Sequence, residues 1–294
     1  MSEGIIIKAL SGFYYVRSGD ETVECKGSGK LRYNGMSPLV GDRVIFTVDA
    51  NGKGRIEQVR PRKNAFIRPA VANIDALICM TSDAIPVTDT YLVDRLSVIA
   101  VHNHCEVTIC VNKVDITRTE RILDIYRNTG FTVIPTSAET GEGVEELRAA
   151  VAGKICAFTG DSGVGKSSIL NALNPAFSLR VGDVSEKLGR GRHTTRHVEL
   201  FDLGNATYLI DTPGFASFDM EAVEPVRCGD LQYDFPEFAP YLGQCRFNDC
   251  AHLKEPNCAV TQALEQGAIH KKRYQSYKMM YADASKYKEW EMKN

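Results

Sequence analysis

The chain has 294 residues, of which 44% are hydrophobic and 24% charged. This excludes wholesale disorder and fits two or three domains. No run of about 18 uncharged apolar residues occurs, so no transmembrane helix is expected. The net charge of −2 divides into +5 over 1–68, −11 over 69–267 and +4 over 268–294. Basic ends around an acidic centre suit contact with a polyanion, and scattered surface charge would give the same counts.

Residues 4–60 read as about five short strands. Ile5-Ile6-Ile7, Phe13-Tyr14-Tyr15-Val16, Thr22-Val23-Glu24-Cys25 and Val44-Ile45-Phe46-Thr47-Val48 are rich in β-branched and aromatic residues, and Gly12, Gly19, Gly41 and Gly52 punctuate them. A small β-barrel over 1–65 is expected, OB-like or SH3-like. Arg60 to Pro69 reads as a linker. Beyond it the texture becomes α/β. Strands at 74–80, 107–111, 132–135 and 155–158 alternate with helices at 90–102, 119–129 and 143–151, which indicates a parallel sheet over 70–225. Residues 226–294 are irregular, then helical and basic.

Gly160-Asp161-Ser162-Gly163-Val164-Gly165-Lys166-Ser167 fits the phosphate-loop pattern, with a strand before it and a helix from Ser168 after it. Backbone N–H groups of such a loop cradle phosphate, Lys166 reaches the β- and γ-phosphates, and Ser167 ligates Mg²⁺. Asp211-Thr212-Pro213-Gly214 ends another strand. There Asp211 can hold Mg²⁺ and the Gly214 N–H can sense a γ-phosphate. Asn112-Lys113-Val114-Asp115 follows a third strand, where a buried Asp115 would accept from both guanine donors and reject adenine. Ser137 and Ala138 would offer a backbone N–H to guanine O6.

The base-reading segments precede the phosphate loop, the reverse of the Ras-like order. In this the chain resembles the circularly permuted GTPases, and among them the RsgA family of small-ribosomal-subunit biogenesis GTPases, over essentially its whole length. The resemblance implies GTP and GDP binding with Mg²⁺, GTP hydrolysis, and action on the 30S subunit and its 16S rRNA in the cytoplasm. It places base recognition on Asn112, Lys113 and Asp115, the cradle on Gly160 to Ser168, and the switch threonine on Thr194 or Thr195. Two departures stand out. Phe215 follows the DxxG segment where Ras-like enzymes carry a catalytic glutamine, which leaves His193 as the nearest polar candidate for orienting water. Gly163 stands where potassium-activated GTPases carry asparagine, so no potassium site is expected.

Cys245-x₄-Cys250-x-His252-x₅-Cys258 supplies three thiolates and an imidazole, a structural Zn²⁺ set. The resemblance strengthens that reading. The amino terminus lacks a basic-then-apolar leader, so the nine cysteines are expected to be reduced thiols or metal ligands. Cys79, Cys110 and Cys156 read as strand core. His102, His104 and Cys105 read as core and loop, with no second metal. In the tail, Lys271, Lys272, Arg273, Tyr274, Tyr277, Lys278, Lys286, Tyr287, Lys288 and Trp290 interleave cations with aromatics, as suits phosphate contacts and base stacking. Packing of those tyrosines on their own domain is the competing reading. The expectation is a monomeric three-part GTPase, off the membrane, that docks on rRNA. Two others stay open: an RNA-binding adaptor holding GTP as a structural ligand, and a protein-signalling GTPase that touches no RNA.

Overall fold

The computed structural model describes residues 1–33, 35–67, 69–117, 120–175, 198–211 and 226–286. It begins with β1 (Ser2–Leu10), β2 (Phe13–Ser18), β3 (Glu21–Gly27), a short helix α1 (Gly29–Tyr33), β4 (Arg43–Val48) and β5 (Gly54–Val59). β1–β2, β2–β3, β4–β5 and β1–β4 pair antiparallel and β3–β5 parallel. The order 1-2-3-5-4-1 closes the sheet and leaves no open edge. Ile6, Val16, Cys25, Val44, Phe46 and Ile56 fill its interior. The expected OB-like barrel is therefore present.

The segment read as a linker is pinned. Arg62 grips Asp42 through Nε and Nη2, each at 2.8 Å. Buried Asn64 donates to the carbonyls of Ile74 and Asn103 and accepts from the Ile74 N–H. Two short strands, β6 (Ala65–Phe66) and β7 (Val71–Ala72), pair across the turn. Gly41 lies so near that a Cβ there would come within 2.1 Å of the Ala72 carbonyl oxygen. A side chain at 41 would push the barrel off its mount.

The central sheet comprises β8 (Ala76–Ser82), β9 (Glu106–Asn112), β10 (Thr132–Pro135), β11 (Ile155–Thr159), β12 (Glu199–Gly204) and β13 (Thr207–Asp211). Its order is β10-β9-β8-β11-β13-β12, parallel except for β12, and β12 continues onto β1 of the barrel. Every residue of β8 and β11 is buried, as expected of strands covered on both faces. One face sends Leu77, Cys79, Ile109 and Ala157 into a core continuous with the barrel interior. The other sends Ala76, Ile78, Met80, Cys110 and Cys156 into a second core. Helices α2 (Thr90–His102), α3 (Arg121–Tyr126), α4 (Val144–Val151) and α5 (Lys166–Leu173) cover the sheet. Asp89 caps α2 by accepting from the Tyr91 N–H at 3.0 Å. α3 is shorter than its apolar pattern implied, and β12 was not foreseen.

The C-terminal region holds α6 (Cys228–Leu231), two 3₁₀ turns, α7 (Ala259–Glu265) and α8 (Lys271–Ala284). It overturns part of the tail reading. Arg273, Tyr274 and Tyr277 are buried, so they stack on no base. The Arg273 guanidinium meets Asp94 of α2 at 2.7 Å and Glu237 at 2.7 and 3.2 Å. It also lies 4.6 Å from the Phe235 ring centroid. Lys271, Lys272 and Lys278 remain exposed. Tyr287, Lys288 and Trp290 lie outside the described residues. Among the described residues, no helix is long and apolar enough to cross a membrane.

Candidate functional site

Each predicted nucleotide segment sits at the carboxyl end of a parallel strand, where open α/β sheets bind ligands. Asn112 ends β9, Ser137 and Ala138 follow β10, Gly160 follows β11, and Asp211 ends β13. Thr212 to Gly214, Phe215, His193, Thr194 and Thr195 lie outside the described residues.

The phosphate loop turns on glycines for local reasons. Gly160 has φ +147°, and a Cβ there would stand 2.5 Å from the Met80 carbonyl oxygen. Gly165 has φ +99°, and its Cβ would stand 2.2 Å from Asn112 Nδ2. Both conditions exclude a side chain. The second exists because Asn112 ties the loops together. Its Nδ2 donates to the Val164 carbonyl at 2.9 Å, and its Oδ1 accepts from the Ala138 N–H at 3.3 Å. One buried amide thus holds the phosphate loop, between Gly160 and Gly165, against the 137–138 turn.

Lys166 is buried at the start of α5. Its ammonium donates to the Gly160 and Asp161 carbonyls. Burial pulls its pKa below the ordinary lysine range, and Asp161 opposes that pull. Ser167 is buried beside it, and Ser168 is half-buried on the next position of the helix. Asp161 is half-buried, and Ser162 and Gly163 form the exposed crest of the loop. Beyond Asn112, Lys113 takes a left-handed φ of 67° and donates from Nζ to the Ile85 carbonyl at 2.9 Å. Val114 is buried, whereas Asp115 is exposed. That corrects the expectation of a buried carboxylate: 113–117 is a tight turn, with the Ile116 and Thr117 N–H groups on the Lys113 carbonyl, and among the described residues its crest, Asp115 and Ile116, is exposed. The 137–138 turn is also more specific than expected. The Ser137 N–H is committed to the Glu142 carbonyl at 2.9 Å, and the Ser137 hydroxyl accepts from the Thr140 N–H. Only the longer Ala138 bond, to Asn112, is easily exchanged.

The cysteine cluster forms a second centre. One donor atom each from Cys245, Cys250, His252 and Cys258 lies within 4.8 Å of every other. Cys245 Sγ stands 3.8 Å from Cys258 Sγ and 3.5 Å from His252 Nδ1, which is 3.3 Å from Cys258 Sγ. A tetrahedral Zn²⁺ about 2.3 Å from sulfur and about 2.0 Å from nitrogen sets edges of about 3.5–3.8 Å, so these residues fit the ion. His252 Nε2 donates to Gln232 Oε1 at 2.9 Å, which turns Nδ1 toward the thiols. Glu255 braces the loop by accepting from the Ala251, Leu253 and Lys254 N–H groups. Tyr274 and Tyr277 anchor it by donating to the His252 and Ala251 carbonyls at 2.8 and 2.9 Å. Those tyrosines, read from sequence as stacking candidates, are scaffold for the cluster. Purified protein is expected to carry about one Zn²⁺ per chain by elemental analysis. Cys250→Ser should lose it and loosen 245–258 while GDP affinity stays unchanged, because the two centres lie in different parts of the fold. Full metal retained in a Cys245/Cys250/Cys258 triple variant refutes the ligand set.

A phosphate loop in a parallel sheet, with its base-reading strands earlier in the chain, defines a circularly permuted P-loop GTPase. The comparisons narrow the class. The family model described as RsgA GTPase matches residues 59–221, and that for the RsgA N-terminal domain matches 3–56. The small ribosomal subunit biogenesis GTPase RsgA of Caldanaerobacter subterraneus is 41% identical over 278 residues, covering 94% of this chain and 93% of the relative. That of Geobacillus sp. strain WCH70 is 43% identical over 283 residues, covering 94% and 95%. The crystal structure of YjeQ from Thermotoga maritima superposes with TM-score 0.84 at 35% identity, covering 98% of this chain and 99% of that one. YloQ, a circularly permuted GTPase, superposes with TM-score 0.80 at 34% identity, covering 98% and 96%. The chain belongs to the RsgA GTPase family, and it is a GTP-hydrolysing enzyme.

Proposed function

We propose that this GTPase acts in late maturation of the small ribosomal subunit, in the cytoplasm, as a monomer that docks on 16S rRNA. The observation that carries the nucleotide half is the Asn112 amide, which ties the phosphate loop to the 137–138 turn. The ribosomal half is supported by relatives named small ribosomal subunit biogenesis GTPases along nearly their full length. The charge of +5 over 1–68 and the exposed Lys271, Lys272 and Lys278 support contact with phosphate. We divide the chain into a barrel over 1–65, a GTPase domain over 70–225 and a zinc-binding region over 226–294.

In this reading the backbone of Gly160 to Ser168 cradles the phosphates. Lys166 exchanges its two loop carbonyls for β- and γ-phosphate oxygens, an exchange of neutral partners for charged ones. Ser167 and Asp211 would hold Mg²⁺, and the ion would supply positive charge beside the β- and γ-phosphates. Hard oxygen donors, one in the first turn of α5 and one at the end of β13, suit that ion. Gly214 would sense the γ-phosphate, and Thr194 or Thr195 would be the switch threonine that meets Mg²⁺. Asn112, Lys113 and Asp115 would read the base, and the Ala138 N–H would exchange Asn112 Oδ1 for guanine O6. The base itself supplies the burial that Asp115 lacks.

Asp115→Asn is expected to weaken GDP binding by about 10²-fold or more while raising affinity for xanthine nucleotides, which present a carbonyl where guanine has an amine. Competition titrations with GDP and XDP check it, and unchanged guanine preference removes Asp115 from the base site. The function as a whole is tested by multiple-turnover GTP hydrolysis with and without purified 30S subunits, with 50S subunits as control. Stimulation by 30S alone supports the reading. Equal rates in all three favour the protein-signalling alternative, and single-turnover GTP retention favours the adaptor.

A further inference from the structure

In the central sheet β8 lies between β9, which carries Asn112, and β11, which carries the phosphate loop. The loop that leaves its carboxyl end, 83–88, therefore enters the middle of the nucleotide site before the chain reaches α2. It is fastened at both ends. The Ser82 N–H donates to Thr88 Oγ1 and the Thr88 N–H to the Ser82 carbonyl, each at 2.9 Å. Ser82 Oγ accepts from the Ala84 N–H at 3.0 Å. Arg121, the first residue of α3, reaches the loop from beyond the 113–117 turn. Its Nε donates to Asp83 Oδ1 at 2.6 Å and its Nη2 to the Thr88 carbonyl at 3.3 Å. The Asp83 side chain is 4% exposed, so the carboxylate has left water for this contact.

What the loop presents to the site is backbone. Ile85 is 88% exposed, whereas its carbonyl accepts from the Lys113 ammonium at 2.9 Å. The next residue, Pro86, borders the phosphate loop: a Cβ built on Gly163 would stand 3.5 Å from Pro86 Cδ. The tether holds a long side chain that leaves its backbone at a left-handed φ of 67°. With the ammonium committed to Ile85, Lys113 offers a base the methylenes of its stem, a contact equal for every purine. A side chain ordered before the nucleotide arrives spares binding the entropy of ordering it, worth about two- to tenfold in affinity.

We propose that Arg121 and Asp83 are positioning residues for nucleotide binding: by fixing the 83–88 loop they keep the Ile85 carbonyl where it tethers Lys113, and so lengthen the residence of the nucleotide. The proposal rests on the reading that Asn112, Lys113 and Asp115 recognise the base. Asp115 selects guanine at the base edge. The Arg121–Asp83 pair adds affinity without selectivity.

The test is release of GDP carrying a fluorescent ribose label from the full-length protein, chased with unlabelled GDP. Arg121→Gln should release it about two- to tenfold faster. Arg121→Lys keeps the charge beside Asp83 but not the fork, and should fall between that variant and the parent. Lys113→Met keeps the stem, loses the tether and should match Arg121→Gln. Combining Arg121→Gln with Lys113→Met should speed release by less than about twofold beyond either alone, because both act through one contact. Inosine diphosphate differs from GDP only in lacking the amine at the edge that Asp115 reads. The ratio of the two affinities should therefore keep the parent's value in Arg121→Gln. If Arg121→Gln does not fold, Asp83→Asn, which keeps the shape and drops the charge, takes its place with the same expectations. Parent-like release in the single variants overturns the proposal, as do additive effects in the double variant or a shifted affinity ratio. Guanine preference retained in Asp115→Asn refutes the base reading instead, and the proposal falls with it.

Discussion

Arg273→Met is expected to destabilise the protein by about 3–5 kcal/mol, seen as a large drop in the urea unfolding midpoint. The guanidinium is fully buried between Asp94 of α2 and Glu237 of the C-terminal region. Asp94 also accepts from Tyr126 and Ser276 hydroxyls. Burial raises the Asp94 pKa, and Arg273, Ser276 and Tyr126 oppose the rise. Removing the cation leaves two carboxylates in apolar surroundings without its charge. Most of the loss should therefore be recovered by neutralising them, in the triple variant Arg273→Met with Asp94→Asn and Glu237→Gln. Arg273→Lys should also fail, because a point charge cannot reproduce the forked contacts to Glu237. If Arg273→Met unfolds within about 1 kcal/mol of the parent, the triad is not what fastens the C-terminal region to α2.

Arg273 also shows where sequence reasoning stops. The nucleotide loops are legible because each is a contiguous motif whose residues do one chemical job. Gly160 to Ser167 needs only its flanking strand and helix to be understood, and Asn112 to Asp115 needs only its strand. The Cys245–Cys258 cluster is legible for the same reason, since four soft donors within one short segment have few other uses. The fate of an arginine depends on partners distant in the chain. Asp94 is 179 positions away from Arg273, and nothing in Lys271-Lys272-Arg273-Tyr274 distinguishes the buried cation from its exposed neighbours. Helical geometry offered a partial signal: 273, 277 and 280 share a face, and all three are buried. The segment 60–69 misled in a similar way. Its proline and charges look like a linker, but Arg62 and Asn64 are held by residues from other parts of the chain. β12 was missed because its polar residues, Glu199 and Asp202, are tolerated on a strand that lies between β13 and the barrel and is only partly covered.

The isolated protein is expected to turn GTP over slowly, and 30S subunits are expected to raise the rate by a factor on the order of 10³ or more, the scale on which completion of a GTPase site in trans acts. Phe215 directly follows Asp211-Thr212-Pro213-Gly214 in the sequence. An apolar side chain after the DxxG segment cannot orient the attacking water, so the site as encoded lacks a part that Ras-like enzymes carry in cis. The polar candidate in the chain is His193, with Arg190 and Arg192 beside it, in a stretch of sequence with cations enough to meet rRNA phosphate. A particle that engages those cations has the means to bring the imidazole to the water while it also holds the barrel. His193→Ala should then keep GTP binding and 30S binding, keep the slow basal rate, and lose most of the stimulation. Added salt should weaken stimulation in the parent by weakening docking, because each phosphate contact releases counterions. It should leave the basal rate of both proteins alone. Steady-state phosphate release at saturating 30S, across a salt series, separates the two effects. A His193→Ala protein stimulated as fully as the parent would show that the water is oriented by a group on the particle itself.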